Sequence, residues 1–212
     1  MNKLILELFA GSRSIGKVGE ELGFEVFSSD ICPFEKIDYI ADILDFDTKK
    51  VPFVPDVIWA SPPCTGFSVA AIAHHWTGGK KAYIPKSETA KLGIKIVEKT
   101  LELIDHYKRL NPNLIWYIEN PRGVLRKMDF MENLPIRQTV TYCQYGDNRM
   151  KPTDIWTNNK NWEPKPMCKR GSPCHEAAPR GSKGGTKGLK NAFERSKIPK
   201  ELCKEILSAL NN

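Results

Sequence analysis

The sequence lacks any apolar run long enough to cross a membrane. The longest such run near the N-terminus, residues 4–10, is interrupted by Glu7, whereas a spanning helix needs about 20 apolar residues. No small-residue cleavage site follows this run, so it does not read as a signal peptide. We therefore expect a cytoplasmic protein with no membrane partner.

Cysteine is too sparse for a disulfide-based fold. Six scattered cysteines among 212 residues form no dense framework, which favours reduced thiols, metal ligands or nucleophiles over disulfides. Apolar residues make up 41% of the chain and charged residues 27%, a balance typical of globular proteins. The length suits one ordinary domain with a small appendage and no internal repeat. We expect a monomer.

Net charge is missing from the first three quarters of the chain. Residues 1–159 carry 20 basic and 20 acidic side chains, whereas residues 160–204 carry 12 basic and 4 acidic ones. A localised basic segment interspersed with Gly and Ser is typical of a nucleic-acid contact. A solvated tail is the alternative that charge alone leaves open.

Apolar runs alternate with helical patterns through residues 3–157. The runs KLILELFAG, FEVFSSD, DYIADI, PDVIWASPPC and LIWYIENPRG predict five strands, and IRQTVTYCQYG and DIWTN predict two more. Ile94, Val97, Leu101 and Ile104 recur at helical spacing and predict one long helix over residues 87–110. A shorter helix is predicted after the first strand, closed by Gly23.

This alternation predicts an α/β fold with a doubly wound, mostly parallel sheet and helices on both faces. Ligands bind such sheets at the carboxyl ends of the strands. We expect a catalytic domain over residues 1–157 and a short, irregular basic segment over 158–192. A C-terminal helix within residues 193–212 should pack back on the core.

One glycine turn and two acidic residues predict a site for an adenosine cofactor. The turn after the first strand contains Gly11, and a glycine turn lets the backbone approach a nucleotide closely. Asp30 ends the next strand, where a carboxylate can accept hydrogen bonds from both ribose hydroxyls. Asp42 could hold an adenine amino group, although each acid alone is more often a helix cap or a surface residue.

Cys64 and Glu119 are the candidate chemical pair. Cys64 follows two prolines, which stiffen the loop that presents its thiol. A reactive cysteine needs nearby positive charge, which Arg149 and Lys151 could supply. Glu119 lies between apolar strand residues and a Pro-Arg-Gly turn, where a partly desolvated carboxylic acid can donate a proton. Taken singly, Cys64 could be a structural thiol and Glu119 a salt-bridging acid.

Four segments in order resemble motifs of the DNA cytosine-5 methyltransferases. They are LELFAGSRSIG, SPPCTGFS, WYIENPRG and QYGDNRMK, which together span about residues 3–157. The resemblance implies a Rossmann-like class I methyltransferase fold that methylates carbon 5 of cytosine in DNA, using S-adenosyl-L-methionine. In its shortness the chain resembles compact phage-type members of the family.

The resemblance also implies a role for particular residues. Cys64 would be the nucleophile that forms a covalent adduct with a flipped cytosine, Glu119 the acid that engages the base, and Arg149 and Lys151 its clamp. Asp30 would bind the ribose of the cofactor, Asp42 and Ile43 its adenine, and Pro63 would line the pocket. The full set of implied cofactor contacts is Phe9, Ala10, Gly11, Ser12, Ser14, Asp30, Ile31, Asp42, Ile43 and Pro63.

The sequence departs from the family pattern in four places. Pro121 stands where the family usually has Val, and Arg13 lies in a turn that is usually richer in glycine. No Gly-Asn-Ser-Val-like segment closes the C-terminus, so part of the cofactor pocket should be missing or rebuilt. Residues 158–192 leave almost no room for a large target-recognition domain, which indicates recognition of a very short site.

Two other readings of the function stay open. The same chemistry could act on RNA, and a catalytically silent nucleic-acid-binding protein could keep the fold. Amino-group methyltransferases place an aromatic ring after their Pro-Pro motif, where this chain has Cys64, which argues against them. Methylation of DNA by such an enzyme can serve restriction, protection or regulation.

Three further positions invite a metal site. Cys168, Cys174 and His175 have the irregular spacing C-x5-C-H, and Cys143 is a speculative fourth ligand for zinc. We favour reduced surface thiols and no metal. His74 and His75, in the loop after Cys64, are expected to face solvent or to contact phosphates.

Overall fold

A seven-stranded sheet forms the centre of the computed structural model, which describes residues 3–79, 82–169, 171–177, 189 and 191–210. Its strands are β1 (Leu4–Leu8), β2 (Glu25–Asp30), β3 (Tyr39–Ile40), β4 (Val57–Ala60), β7 (Ile115–Pro121), β8 (Ile136–Thr141) and β9 (Pro152–Thr157). A separate two-stranded hairpin comprises β5 (Trp76–Thr77) and β6 (Ile84–Pro85).

The strands of the sheet lie in the order β3-β2-β1-β4-β7-β9-β8. The first five of these are mutually parallel, whereas β9 runs antiparallel to both β7 and β8. The chain order reverses beside β1, where β2 pairs on one side and β4 on the other. The predicted mostly parallel, doubly wound sheet is confirmed, and the reversal beside β1 creates a crevice at the strand ends.

Helices cover both faces of this sheet. They are α1 (Ser14–Glu21), α2 (Ile72–His75), α3 (Glu88–Leu110), α4 (Asp129–Glu132), α5 (Ala192–Ser196) and α6 (Lys200–Ser208). The long helix predicted over residues 87–110 is therefore present, and Ser87 caps it by accepting a hydrogen bond from the backbone N–H of Ala90. Within residues 193–210 lie most of α5 and the whole of α6, whose apolar residues belong to the core.

Two apolar clusters hold the layers together. On one face, Val97 and Ile104 of α3 pack with Leu6 of β1. On the other face, Ile15 of α1 and Leu202 of α6 pack with Ile5 of β1. Neighbouring residues of β1 thus point to opposite faces, and both faces are covered. Apolar residues are therefore favoured on both sides of this central strand.

The helices of the described residues include none that is both long and apolar enough to cross a bilayer.

Candidate active site

The turn that joins β1 to α1 forms one end of the site. Phe9, Gly11 and Arg13 all adopt positive φ angles, of 56°, 48° and 53°, so the backbone doubles back tightly before α1 begins. The backbone N–H of Gly11 donates to Oδ2 of Asp30, 2.9 Å away. This bond fixes the turn against the acid that ends β2.

Hydrogen bonds among buried polar side chains hold this turn in place. Oε1 of Glu7 accepts from the backbone N–H of Ile15 at 3.1 Å, and Oε2 accepts from the Ser28 hydroxyl at 2.9 Å. Nε of Arg13 donates to the same hydroxyl at 2.9 Å, and its guanidinium also pairs with Glu20. Burial raises the pKa of Glu7 to about 7, although these hydrogen bonds and the charge of Arg13 oppose the rise.

The Cys64 loop follows β4 directly. The side-chain amide of Asn120, in β7, donates to the carbonyl of Pro62 at 2.9 Å, which ties the loop to the neighbouring strand. Cys64 then begins a 3-10 turn over Thr65–Phe67, and its carbonyl accepts from the backbone N–H of Phe67 at 3.0 Å. The thiol is thus held on a braced turn at the end of the strand.

Glu119 lies near the end of β7 and is only 5% exposed. Its Oε1 accepts a 2.9 Å hydrogen bond from the hydroxyl of Tyr142. Burial raises the pKa of that hydroxyl well above its ordinary value, so Tyr142 remains a donor. Nζ of Lys151 lies 3.9 Å from the same Oε1 and 4.6 Å from the centre of the Tyr142 ring.

Cys64 is open to solvent at the pocket, yet the surrounding protein atoms remove it partly from water. This burial raises the pKa of the thiol, and the negative charge of Glu119 raises it further. Lys151 and Arg195 act in the opposite direction. The resting thiol is therefore protonated near neutrality, and its activation depends on the nearby cations.

One pocket of about 490 Å³ contains both ends of the site. Most of the residues predicted from the sequence line it: Phe9, Ala10, Gly11, Ser12, Ser14, Asp30, Ile31, Pro63, Cys64, Glu119 and Lys151. A cleft of this kind at a reversal of strand order is a typical ligand site.

Comparison with known proteins gives one match over nearly the whole chain. A protein of Frog virus 3 (isolate Goorha), named "Probable DNA (cytosine-5)-methyltransferase", is 29% identical over 223 residues, which cover 96% of this chain and 98% of the viral protein. The chain is thus similar to this viral protein over nearly all of its length. The resemblance that the four motifs predicted is thereby confirmed. No protein-family model matches the chain.

Comparison with solved structures also finds longer methyltransferases. The Dnmt2 methyltransferase of S. pombe is 16% identical, with a TM-score of 0.48 over 74% of this chain and 49% of its own. The Entamoeba histolytica methyltransferase EhMeth is 12% identical, with a TM-score of 0.49 over 80% of this chain and 57% of its own. The chain thus spans about half the length of these solved proteins.

Three residues assigned from the methyltransferase motifs lie elsewhere. Arg149 does not line the pocket, because its guanidinium is buried and pairs with both carboxylate oxygens of Asp147. That carboxylate raises the pKa of Arg149. Asp42 caps a 3-10 turn by accepting from the backbone N–H of Leu44 at 3.0 Å, and Ile43 is buried in the core.

The methyltransferase motifs did not predict a pocket wall contributed by the C-terminal segment. Phe193, Arg195, Ser196 and Ile198 line the pocket, and the ring of Phe193 lies 5.3 Å from that of Phe34, centre to centre. The wall that the missing Gly-Asn-Ser-Val-like segment left in question is thus rebuilt from residues 193–198. The other lining residues missed by sequence reasoning are Glu7, Phe34, Trp59, Ser61, Pro62, Thr65 and Pro121.

The expectation for His75 was wrong. Its ring is 5% exposed, and Nδ1 lies 2.7 Å from the hydroxyl of Ser87, which caps α3. The histidine therefore fastens α2 to the start of α3 instead of facing solvent. His74 is exposed, as expected. The lysines of the same loop, at residues 80 and 81, lie outside the described residues.

Proposed function

We propose that this chain transfers a methyl group from S-adenosyl-L-methionine to carbon 5 of cytosine in DNA. The observation that carries the proposal is the shared pocket of Cys64 and Glu119, whose other end is the Gly11–Asp30 turn. A nucleophile and an acid beside a nucleoside-type site are the groups that this reaction needs. The name of the viral relative supports the same function.

The thiolate of Cys64 forms a bond to carbon 6 of cytosine. The electron pair of the ring double bond moves toward carbon 5 while Glu119, in its protonated form, donates a hydrogen bond or proton to ring nitrogen 3. Carbon 5 then has the enamine character that an aromatic cytosine lacks. After the methyl group is in place, a water molecule accepts the proton from carbon 5 and any proton on ring nitrogen 3 returns to Glu119. Cleavage of the carbon–sulfur bond then restores the aromatic ring and releases the thiolate.

The pocket residues fit an adenosine cofactor. Each oxygen of the Asp30 carboxylate accepts one backbone N–H, from Gly11 and from Cys32, and each keeps a lone pair for a ribose hydroxyl. The Phe9–Gly11 turn exposes backbone beside this acid. S-adenosyl-L-methionine would supply the electrophilic methyl group there.

Lys151, rather than Arg149, provides the positive charge at the reacting end. Its ammonium group lies beside Glu119 and lowers the pKa of the Cys64 thiol. Lys151 therefore favours the thiolate form of Cys64 and balances the negative charge of Glu119. Arg149 acts at one remove, because it holds Asp147 in the turn that leads to Lys151.

Several finer points belong to this proposal. Carbon 6 of a paired cytosine is inaccessible inside a duplex, so the base must leave the helix and enter the pocket, at a cost of a few kcal/mol. The proposal also includes action as a monomer in the cytoplasm. The basic residues within 158–192 are the proposed contact to the DNA backbone.

The test is a methyl-transfer assay on cytosine-containing DNA, read by mass spectrometry of the nucleosides. Wild-type protein should produce 5-methylcytosine, whereas Cys64→Ala should bind the cofactor and produce none. Cys32→Ala removes another exposed thiol but keeps the backbone N–H that Asp30 accepts, so this variant should keep full activity. Full activity of Cys64→Ala would refute the mechanism, and methylation of RNA but not DNA would move the proposal to the other polymer.

DNA that contains 5-fluorocytosine tests the covalent step directly. Fluorine at carbon 5 cannot leave as a cation, so the adduct should persist with wild-type protein and cofactor. The complex should be absent with Cys64→Ala. An active wild-type preparation that yields no adduct would contradict the proposed nucleophilic role.

A further inference from the structure

Four possible metal ligands from distant parts of the sequence meet away from the active site. We call Cys143, Cys168, Cys174 and His175 the Cys/His cluster. One ligand atom from each of the four residues lies within 4.8 Å of all the others. Cys143 belongs to the 3-10 turn Tyr142–Tyr145 after β8, whereas the other three belong to the irregular segment that follows β9.

Two of the distances between ligand atoms match a tetrahedral zinc site. Zinc–sulfur bonds of about 2.3 Å and a zinc–nitrogen bond of about 2.0–2.1 Å place neighbouring sulfur and nitrogen ligands about 3.6 Å apart, and neighbouring sulfurs about 3.8 Å apart. Nδ1 of His175 lies 3.3 Å from Sγ of Cys168 and 3.7 Å from Sγ of Cys174. These two distances bracket the tetrahedral value.

The surroundings of the Cys/His cluster also suit bound thiolates. The side-chain amide of Gln144 donates to Sγ of Cys174 at 3.4 Å. The backbone N–H of Cys168 donates to the Thr141 hydroxyl at 2.9 Å, which fixes where this cysteine enters the cluster. Cys143 and Cys168 are buried, so two of the three sulfurs are shielded from bulk water and from oxidants.

We propose that the Cys/His cluster binds one Zn²⁺ ion in a structural site. Three sulfurs and one imidazole nitrogen complete a tetrahedron and leave no open position for a substrate, which is typical of structural rather than catalytic zinc. Soft thiolate ligands with one imidazole favour zinc over magnesium or calcium. The site is separate from the pocket of Cys64 and Glu119, none of whose lining residues belongs to it.

The ion accounts for how an irregular segment keeps a fixed position. Between Thr157 and residue 177, the described residues form no helix or strand, so few backbone hydrogen bonds hold them. A metal cross-link between this segment and the turn after β8 supplies that missing stabilisation. Just beyond the cluster, the backbone N–H of Glu176 donates to the Asn148 carbonyl at 2.8 Å, which extends the attachment.

The test measures metal content directly. The full chain is produced in zinc-supplemented medium, purified under reducing conditions without chelator, and analysed by mass spectrometry for metals. Wild-type protein should retain about one zinc per chain, and replacement by Co²⁺ should give the visible absorption bands of tetrahedral, thiolate-bound cobalt. Cys174→Ser and His175→Gln change the two ligands nearer the surface, so these variants should fold.

Loss of an outer-shell partner lowers metal affinity roughly 10- to 100-fold. Each of the two variants loses a direct ligand, so its zinc affinity should fall by more than that. Cys32→Ser, which removes a thiol remote from the Cys/His cluster, should hold as much zinc as the wild type. Wild-type protein with no stoichiometric zinc and no cobalt–thiolate bands would overturn the proposal. Unchanged zinc content in both ligand variants, or a disulfide between cluster cysteines in the reduced preparation, would also overturn it.

Discussion

Cys64 lies under two opposing electrostatic influences from neighbours in the same pocket. Burial and the Glu119 carboxylate raise the pKa of its thiol, whereas Lys151 lowers it. The balance of these neighbours sets the fraction of thiolate at a given pH. That fraction controls the rate at which the thiol attacks any electrophile.

This balance predicts opposite effects from two substitutions. Glu119→Gln removes the negative charge and should increase the rate at which iodoacetamide alkylates Cys64 at pH 8. Lys151→Met should decrease that rate. Each change should amount to several-fold, because a shift of one pKa unit alters the thiolate fraction about tenfold.

Peptide mapping by mass spectrometry separates Cys64 from the other thiols. Alkylation of the exposed Cys32 is the internal control and should not change. Effects of the same sign in both variants would contradict the electrostatic account.

Glu7 is a buried acid whose ionisation makes the free energy of unfolding depend on pH. Its pKa rises from 4.5 to about 7 on folding because of burial. The folded protein therefore binds the proton more tightly than the unfolded chain. The stabilisation is complete below pH 4.5 and is lost as the pH rises through 7, by about 3 kcal/mol in total.

Glu7→Gln should remove this pH dependence, because the amide stays neutral. Its one oxygen can keep the bond from the backbone N–H of Ile15, and its NH2 group would face the Ser28 hydroxyl as a donor. Urea unfolding of wild type should give a free energy that falls between pH 5 and pH 8, whereas the variant should give a nearly flat profile. Glu25→Gln, at an exposed position of β2, is the matched control and should follow the wild type. A variant that keeps the wild-type slope would assign the titration to another group.

At the residue scale, the sequence was informative where chemistry depends on a local motif. The shared position of Cys64 and Glu119 at one pocket was predictable, because a Pro-Pro-Cys turn and a strand-ending acid are visible as short patterns. Arg149 was assigned from its charge and from the resemblance of its motif, neither of which shows that the carboxylate of Asp147, two residues away, pairs with its guanidinium.

At the scale of elements, the loop after β4 is fixed by close backbone approaches. A Cβ atom at Gly123 would overlap the carbonyl oxygen of Phe67, and one at Gly66 would lie 2.9 Å from that of Thr89. Only glycine fits at such positions. The Cys64 turn is therefore packed between the end of β7 and the start of α3, which keeps the thiol in place.

The short helix α5 contributes an aromatic side chain to the pocket and little to the core. Phe193→Ala should weaken the binding of S-adenosyl-L-methionine about fivefold, because an aromatic contact contributes about 1 kcal/mol. The free energy of unfolding should change by less than about 1 kcal/mol, since Phe193 is only half-buried. Titration calorimetry and urea unfolding provide the two measurements.

Leu92→Ala, on the exposed side of α3, is the matched control for this prediction and should change neither quantity substantially. If Phe193→Ala bound the cofactor like wild type, α5 would not be a wall of the functional pocket.

The strands and α3 were predictable because each is an apolar run or a helical repeat of sufficient length. The role of α5 was not, because a helix of five residues has no periodicity to read and its contact with Phe34 joins positions far apart in the chain. The Cys/His cluster could not be established from the sequence for a similar reason. Its cysteine spacing is irregular, and the fold alone brings Cys143 to the other three.

On the scale of the whole molecule, charge is divided unevenly between a neutral α/β body and a basic C-terminal quarter. The predicted phosphate contacts Lys183, Lys187 and Lys190 lie outside the described residues. Replacing these three lysines by Gln should weaken DNA binding and reduce the salt slope by about 0.9 for each phosphate that is no longer neutralised. Fluorescence anisotropy at several salt concentrations measures both the affinity and the slope.

Replacement of Lys91, Lys95 and Lys108 by Gln removes the same charge from the exposed surface of α3. This control should leave the salt slope unchanged. Equal slopes for the two triple variants would indicate that the run 183–190 is a solvated tail.

The rebuilt pocket wall has a consequence for the order in which a ribosome makes the protein. Residues 9–14 and Cys64 emerge early, but the wall at residues 193–198 is translated only after the whole sheet. A nascent chain can therefore form its sheet while the pocket still lacks this wall. Competence to capture the cofactor is expected to arrive in one late step, when α5 leaves the exit tunnel and docks against Phe34.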